Sequence, residues 1–437
     1  MAYKISIGTA IALCLSAIIG DTLFVVTGIP IYQAGSWAII AFVIVGIIAI
    51  VIALQFGELG SIMPGKIGVA YSYVTRPFGT ELGFITGILL FFSYCAVVAA
   101  ITFSFGGYLL FLFGVYSTAA QITVAAALII AISLLNMNGV KKTAGLSRML
   151  IVITIGAATI FCLYAFVHAV QHANFAYNFA SSASQNTLTA FGAAITTVVF
   201  AYAEFETVTT FTNNVKGRGK AMAKILIYSI LMSIVAYSAI AIGLISLVPA
   251  SKWISSSEPL LYALAYVNAP HYLIAMIGIG TLLAISAAAI TVIHTASRII
   301  YQLGIDGLLP KFTRKYDDGR DTAVNGIVIT MAVSILLLFS GNLYQILSIS
   351  NFGIIFSWIM ACMAVISLRR HKKDGSFRMP LYPLLPIIGV IACIIFMLGL
   401  PRESLALGIA IILALLVLYY SIVEIRYRDV PRIKLFD

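Results

Sequence analysis

Ile19-Gly20-Asp21-Thr22-Leu23-Phe24 interrupts an apolar run that extends from residue 5 to residue 31. A run of that length is enough to cross a bilayer as a helix, for which about 20 residues suffice. A glycine followed by a carboxylate near its middle is a poor way to continue such a helix. In hydrocarbon, non-helical backbone is tolerated only where protein buries it or where it lines a cavity. An ionisable side chain at that depth faces a partner, a cavity or a pathway. Gly28 and Pro30 follow in the outer part of the run. A second interruption of the same kind, Phe200-Ala201-Tyr202-Ala203-Glu204-Phe205-Glu206, sets two carboxylates inside the apolar segment 188–212. Two helices broken at mid-depth by acids predict an α-helical membrane protein with a polar site at its centre.

The rest of the chain supports that setting. Of its 437 residues 62% are hydrophobic and 9% charged, and the mean hydropathy is +1.07. A soluble domain is about 25% charged, so lipid must solvate the apolar surplus. The apolar runs are continuous rather than alternating, which selects helices over a closed barrel. Twelve segments read as spans: 5–31, 37–62, 80–112, 121–138, 149–170, 188–212, 224–248, 270–300, 323–340, 343–367, 380–400 and 404–424. With that count, 24 of the 26 lysines and arginines fall on one face, and only Lys252 and Arg402 fall on the other. Basic residues stay cytoplasmic, so the reading predicts a multi-pass cell-membrane protein with both termini in the cytoplasm. Lys4 precedes an apolar stretch too long for a cleaved signal peptide, and the expectation is that nothing is removed.

Several function classes have no support. The net charge of +11 is spread over short inter-helix clusters, not a basic domain interleaved with aromatics, so nucleic acid is not an expected partner. The five cysteines, Cys14, Cys95, Cys162, Cys362 and Cys393, lie inside apolar runs without metal or disulfide spacing. His168 and His172 have the i,i+4 spacing of a metal pair but sit at the outer end of a span beside Gln171 and Asn174. There is no mid-membrane histidine pair for haem, no nucleotide-binding loop and no nucleophile–base pattern. The reading therefore predicts no cofactor, no metal and no enzyme, and membrane lipid as the surrounding partner.

Charged breaks in spans one and six, five helices apart, fit two five-helix repeats of opposite topology. These would occupy residues 1–170 and 187–367, with two peripheral helices and a short tail in 380–437. Transporters of that design bind substrate between half-helices, whose N-termini attract anions and whose C-terminal carbonyls attract cations.

The same residues resemble the amino acid–polyamine–organocation permease family. Its first-span signature Ile-Gly-x-Gly-Ile-Phe is present as Ile19 to Phe24, with Thr22 in place of the second glycine. Gly57-Glu58-Leu59-Gly60-Ser61-Ile62-Met63-Pro64, Gly68-Val69-Ala70-Tyr71-Ser72-Tyr73, Phe78-Gly79, Gly83-Phe84 and Gly139-Val140-Lys141 follow in order. The sixth-span pattern Phe-x-Tyr-x-Gly-Phe-Glu is kept as Phe200, Tyr202, Phe205 and Glu206, with Glu204 replacing the glycine. Val215-Lys216, Ser297-Arg298 and Asp306-Gly307-Leu308-Leu309-Pro310 complete the series. The resemblance implies a leucine-transporter-like 5+5 core and alternating access around one central site. It also implies amino acid or amine substrates, with a proton or sodium as coupling ion.

Carried over residue by residue, the resemblance puts a substrate carboxylate on the amides of Gly20, Asp21, Thr22 and Leu23. It puts the substrate amine on the carbonyls of Phe200, Ala201 and Ala203, and the aromatic gate on Tyr202 or Phe205. A fifth-span lysine found in some members is replaced by Thr154, which with Ser286 could offer oxygens to sodium, although Ala287 withholds a second hydroxyl. Asp21 and Glu204 are departures, since small residues or glycine normally line the pocket there. Asp21 reads either as a cap on the outer half-helix or as a ligand and coupling group. Glu204 reads either as paired with a polar neighbour or as the second coupling acid. Two carboxylates in one desolvated cavity titrate as a unit and hold a proton between them, and a cationic substrate would expel it. The expected function is secondary active transport of an amino acid or amine, with a cationic amine, polyamine or basic amino acid favoured, by proton coupling or exchange. An inorganic cation carrier for potassium, suggested by the Gly20-Asp21 pair, and a non-transporting substrate sensor are the alternatives.

Overall fold

The computed structural model describes residues 6–20, 22–63, 69–172, 177–179, 187–215, 218–254, 256–339, 343–371 and 375–426. Asp21 lies outside the described residues, as do Pro64 and Gly68 of the motifs. So do Lys4, Lys66, Lys216, Lys372, Lys373, Arg428, Arg432 and Lys434 of the charge count.

The chain is all-helical: α1 (Ile7–Ile19), α2 (Thr22–Val25), α3 (Gly28–Ala34), α4 (Trp37–Ile62), α5 (Ala70–Leu112), α6 (Thr118–Met137), α7 (Val140–His172) and α8 (Leu188–Ala201). A 3-10 segment (Phe205–Asn214) follows, then α9 (Arg218–Leu247), α10 (Pro259–Tyr266), α11 (His271–Ile305), α12 (Val324–Leu338), α13 (Leu343–Arg370), α14 (Leu384–Leu398) and α15 (Arg402–Arg426). Among the described residues the only strand-like pairing is an isolated bridge between Asp317 and Thr322.

Among the described residues ten helical stretches are long and apolar enough to cross a membrane. α12 and α14, with 15 residues each, are apolar but only about 22 Å long at 1.5 Å per residue, short of a hydrocarbon core of about 30 Å. α5 runs for 43 residues, but Gly79 inside it has φ 85° and ψ 176°. That conformation is open essentially to glycine alone, and it splits a short leading helix from the long apolar part predicted as 80–112.

α5 is the central helix, buried along nearly its whole apolar length and packed against α13, α11 and α6. α9 packs on α4. Without a hydrophobic drive between helices in lipid, close packing depends on small residues at the contacts. Gly353 of α13 is such a contact, since a Cβ there would stand 2.2 Å from the Ser93 hydroxyl and 2.6 Å from the Leu89 carbonyl of α5.

At one end of the bundle Glu58, of the Gly57–Pro64 motif, has its partner. Arg369 Nε and Nη2 donate to its two carboxylate oxygens at 2.6 Å each, and the Met379 N–H donates to Oε2 at 2.9 Å. Arg369 also donates to the Met379 carbonyl at 2.9 Å and stacks 4.4 Å over the Tyr382 ring. The end of α4, the end of α13 and the segment before α14 are thereby clamped together.

Candidate functional site

A helical element ends at each of the two interruptions. α1 ends at Ile19, with the Gly20 N–H donating back to the Ser16 carbonyl at 3.2 Å, and helix resumes at Thr22. Gly20 sits at a close approach to α11, where a Cβ would be crowded 3.2 Å from the Ala288 Cβ and 3.3 Å from the Ala284 carbonyl. α8 ends at Ala201, residues 202–204 form a turn, and the 3-10 segment takes over at Phe205. Glu204 carries this turn with φ +73°. In an L-residue that costs roughly 1–2 kcal/mol relative to a right-handed conformation. The resemblance places a glycine here, and the geometry gives the reason.

A helix that stops leaves its last carbonyls without intrahelical partners and carries a partial negative charge at that end. Both stops deliver such carbonyls to one point. The Tyr237 hydroxyl, from α9, stands 2.5 Å from Ile18 O and 2.7 Å from Ala201 O. It also contacts the Thr22 hydroxyl, which itself donates to Ile18 O and lies 3.4 Å from Ala201 O. Two hydroxyl hydrogens thus serve two helix-end carbonyls. The Tyr237 ring stacks on Phe42 at 5.3 Å and meets Tyr202 edge-on at 5.3 Å.

The carboxylates lie just beyond. Glu204 and Glu206 are both buried, and both are within electrostatic range of the Tyr94 phenol of α5. Tyr94 donates to Glu206 Oε1 at 3.0 Å, and the Trp358 indole of α13 lies beside the same carboxylate. Glu206 is therefore held by the Tyr94 hydroxyl, with the Trp358 ring beside it.

The other candidate residues are distributed as follows. Leu23, Phe200, Ala201, Tyr202, Ala203 and Phe205 are all buried. Tyr202 donates to the Phe42 carbonyl at 2.8 Å, which ties it to α4. The Phe205 ring packs on Phe56 at 5.6 Å and Trp358 at 5.4 Å, and its carbonyl accepts from the Cys14 thiol at 3.9 Å. Thr154 and Ser286 each donate to the carbonyl one turn back on their own helix, Leu150 O at 3.0 Å and Leu282 O at 2.8 Å, and no hydrogen bond joins them. Among the described residues no group of three or more His, Cys, Asp or Glu is placed to hold a metal. His168 and His172 stack on each other with ring centroids 4.0 Å apart.

Sequence reasoning missed Tyr237, Tyr94, Phe42 and Trp358. Each is an aromatic in a long apolar segment, and the chain has 22 tyrosines. Nothing local separates a hydroxyl aimed at a helix end from one aimed at lipid.

Residues 9–429 match the family model for amino acid permeases. The chain belongs to the amino acid permease family. This permease is 24% identical to a branched-chain amino acid permease of Bacillus subtilis, over 93% of its own length and 90% of the relative's. It is 26% identical to a methylthioribose transporter of the same organism, over 89% and 86%. A serine/threonine exchanger, also from Bacillus subtilis, shares 24% identity over 94% and 95%. The permease is accordingly a multi-pass membrane transporter of amino acids or related small solutes, not an enzyme.

Proposed function

We propose that this permease is a secondary carrier whose central site takes an ammonium group, with a cationic amine, polyamine or basic amino acid as the favoured substrate class. The observation behind this reading is the convergence of Ile18 O and Ala201 O on the hydroxyls of Tyr237 and Thr22. Each hydroxyl brings one hydrogen; an ammonium brings three and a full positive charge. It could replace both hydroxyls at the helix ends, where that charge is favoured. Glu204, set at a glycine-type backbone position, adds a negative charge nearby that an anionic substrate group would oppose. A neutral amino acid is the second reading. It is favoured by two of the relatives, which are named for branched-chain amino acids and for serine and threonine.

In this reading α1–α3 and α8 with its 3-10 segment are the two broken spans of a 5+5 repeat. The apolar helices α12 and α14 complete twelve spans, and both termini face the cytoplasm of a cell membrane. Gly20, Asp21, Thr22 and Leu23 offer amides to any substrate carboxylate. Phe200, Ala201 and Ala203 offer carbonyls to the amine, and Tyr202 or Phe205 forms the gate. Glu204 and Asp21 share the coupling proton and release it when the cation enters, which suits proton exchange. Thr154 and Ser286 each donate to their own helix, which leaves their oxygen lone pairs for sodium as the alternative coupling ion, without a second hydroxyl at Ala287.

The test is uptake by purified protein in liposomes, comparing labelled amines, neutral amino acids and rubidium, with and without a pH gradient. Amine uptake driven by the gradient is expected, and Glu204→Gln should abolish gradient-driven uptake while unlabelled substrate still exchanges. Tighter binding of an amino acid than of its decarboxylated amine overturns the preference for cations. Intact proton-driven uptake in Glu204→Gln removes Glu204 as the coupling acid.

A further inference from the structure

Apart from the central site, a cavity lies where the end of α5, the start of α6 and the segment before α10 meet. Its volume is about 270 Å³, and its lining includes Phe111, Tyr116, Thr118, Gln121, Ser257 and Glu258. At about 30 Å³ per water it has room for a small organic ion with part of its hydration.

The polar groups of this cavity are organised in one direction. Gln121 spends both amide hydrogens, one on the Phe103 carbonyl at 2.9 Å and one on the Ser257 hydroxyl at 3.1 Å. Ser257 passes its own hydrogen to Glu258 Oε2. The chain of donors ends on the carboxylate and fixes it. What remains for a ligand is acceptor capacity, the Gln121 side-chain amide oxygen and Glu258 Oε1. Glu258 precedes α10, but its side chain makes no capping bond to that helix. None of the ion pairs among the described residues involves it. Phe111 and Tyr116, edge to face at 6.3 Å, supply aromatic walls, and aromatic faces attract cations.

The backbone is shaped to allow this. A Cβ on Gly107 would stand 2.5 Å from Ser257 Oγ and 2.6 Å from Glu258 Oε2, and one on Gly106 would stand 2.6 Å from the Gln121 carbonyl. The Gly106-Gly107 pair is what lets both polar segments close on α5. The cavity also adjoins the first broken helix. Pro259, next to Glu258, packs on Gly28 of α3, and Tyr108 donates to the Phe24 carbonyl of α2 at 2.6 Å.

We infer that this cavity is a separate binding cup for a small organic ammonium ion, held by Glu258 and the Gln121 side-chain amide oxygen beside the Phe111–Tyr116 pair. It lies on the same face as Lys252, opposite the basic loops, so it would gather ammonium-bearing solutes at the outer mouth before they reach the central site.

The probe is tetramethylammonium, read through a cysteine at Thr118 in a background without the five native thiols. A trimethylammonium-bearing thiosulfonate should modify Thr118→Cys about tenfold faster than a sulfonate-bearing one, after correction for their rates with a free thiol. Millimolar tetramethylammonium should slow that reaction. Adding Glu258→Gln should remove both the charge preference and the protection. Adding Tyr116→Ala should remove the protection but keep the charge preference, because the carboxylate is untouched. Absence of protection by tetramethylammonium, or equal protection in the Glu258→Gln protein, overturns the assignment. The readout needs no transport, so a central site that takes no ammonium leaves this result unchanged.

Discussion

Removing Glu58 or Arg369 singly should cost far more than removing both. The Glu58 side chain is 2% exposed and the Arg369 side chain 16%, so each charge is effectively out of water. Glu58→Ala leaves Arg369 with one backbone carbonyl and the face of Tyr382. Arg369→Ala leaves Glu58 with one backbone N–H. Breaking a buried pair from one side costs about 3–5 kcal/mol, because the abandoned charge stays buried. Two independent losses would sum to roughly 6–10 kcal/mol. The double variant has no orphan charge and should lose less than either single variant, a coupling of several kcal/mol. Arg369→Lys, which keeps the charge but not the two-pronged geometry, should fall between wild type and Arg369→Ala.

Thermal unfolding in detergent, followed with a thiol-reactive dye, suits this test because Cys14, Cys95 and Cys362 are buried and free. At an unfolding entropy of about 2 cal/mol/K per residue, a chain of 437 residues loses roughly 4 °C for a 4 kcal/mol defect. Additive single effects, with the double variant worse than both, would refute the idea that the two side chains act as one clamp.

Two further outcomes follow from the site and the charge pattern. Tyr237→Phe removes the hydroxyl that an ammonium must displace, so an amine should bind up to about tenfold tighter, while stability falls by about 1–2 kcal/mol from the exposed carbonyl; scintillation-proximity binding checks this, and weaker binding would make Tyr237 a substrate ligand instead. With both termini cytoplasmic, single cysteines at Tyr177 or Ser256 should react with an impermeant reagent from outside the cell; labelling only from the cytoplasm would break the twelve-span arrangement.

The helices and their interruptions were legible because both are written in local chemistry. Apolar runs of spanning length mark α4, α6, α13 and α15 to within three residues and α11 to within five, while α7 and α9 begin nine and six residues before the runs that mark them, and Gly20 marks the end of α1. The segment predicted as 380–400 is shorter as α14, since Pro380 and Pro383 lack the N–H groups that would extend it at its start. The placement of Glu204 was legible as an anomaly, a carboxylate in a glycine position, but its φ of +73° emerges only from the fold. The ring of hydroxyls and aromatics around the breaks was not legible. Tyr237 reaches Ile18 across 219 positions and Tyr94 reaches Glu206 across 112, and no periodicity in one segment records a partner that far away. The same holds for Glu58, whose motif announced its importance but not Arg369, 311 positions later.

The hydroxyls of Tyr237 and Thr22 also bear on what the carrier does between loads. Two helix ends closed over nothing would hold desolvated carbonyls, each a penalty of about 1–3 kcal/mol, and an unloaded protein so burdened would stay open until the next solute arrived. In the proposed reading the protein's own hydroxyls fill that role, which would let the empty form shut and reset. A carrier able to return empty can run net flux down its driving gradient, where one that cannot is confined to swapping one solute for another.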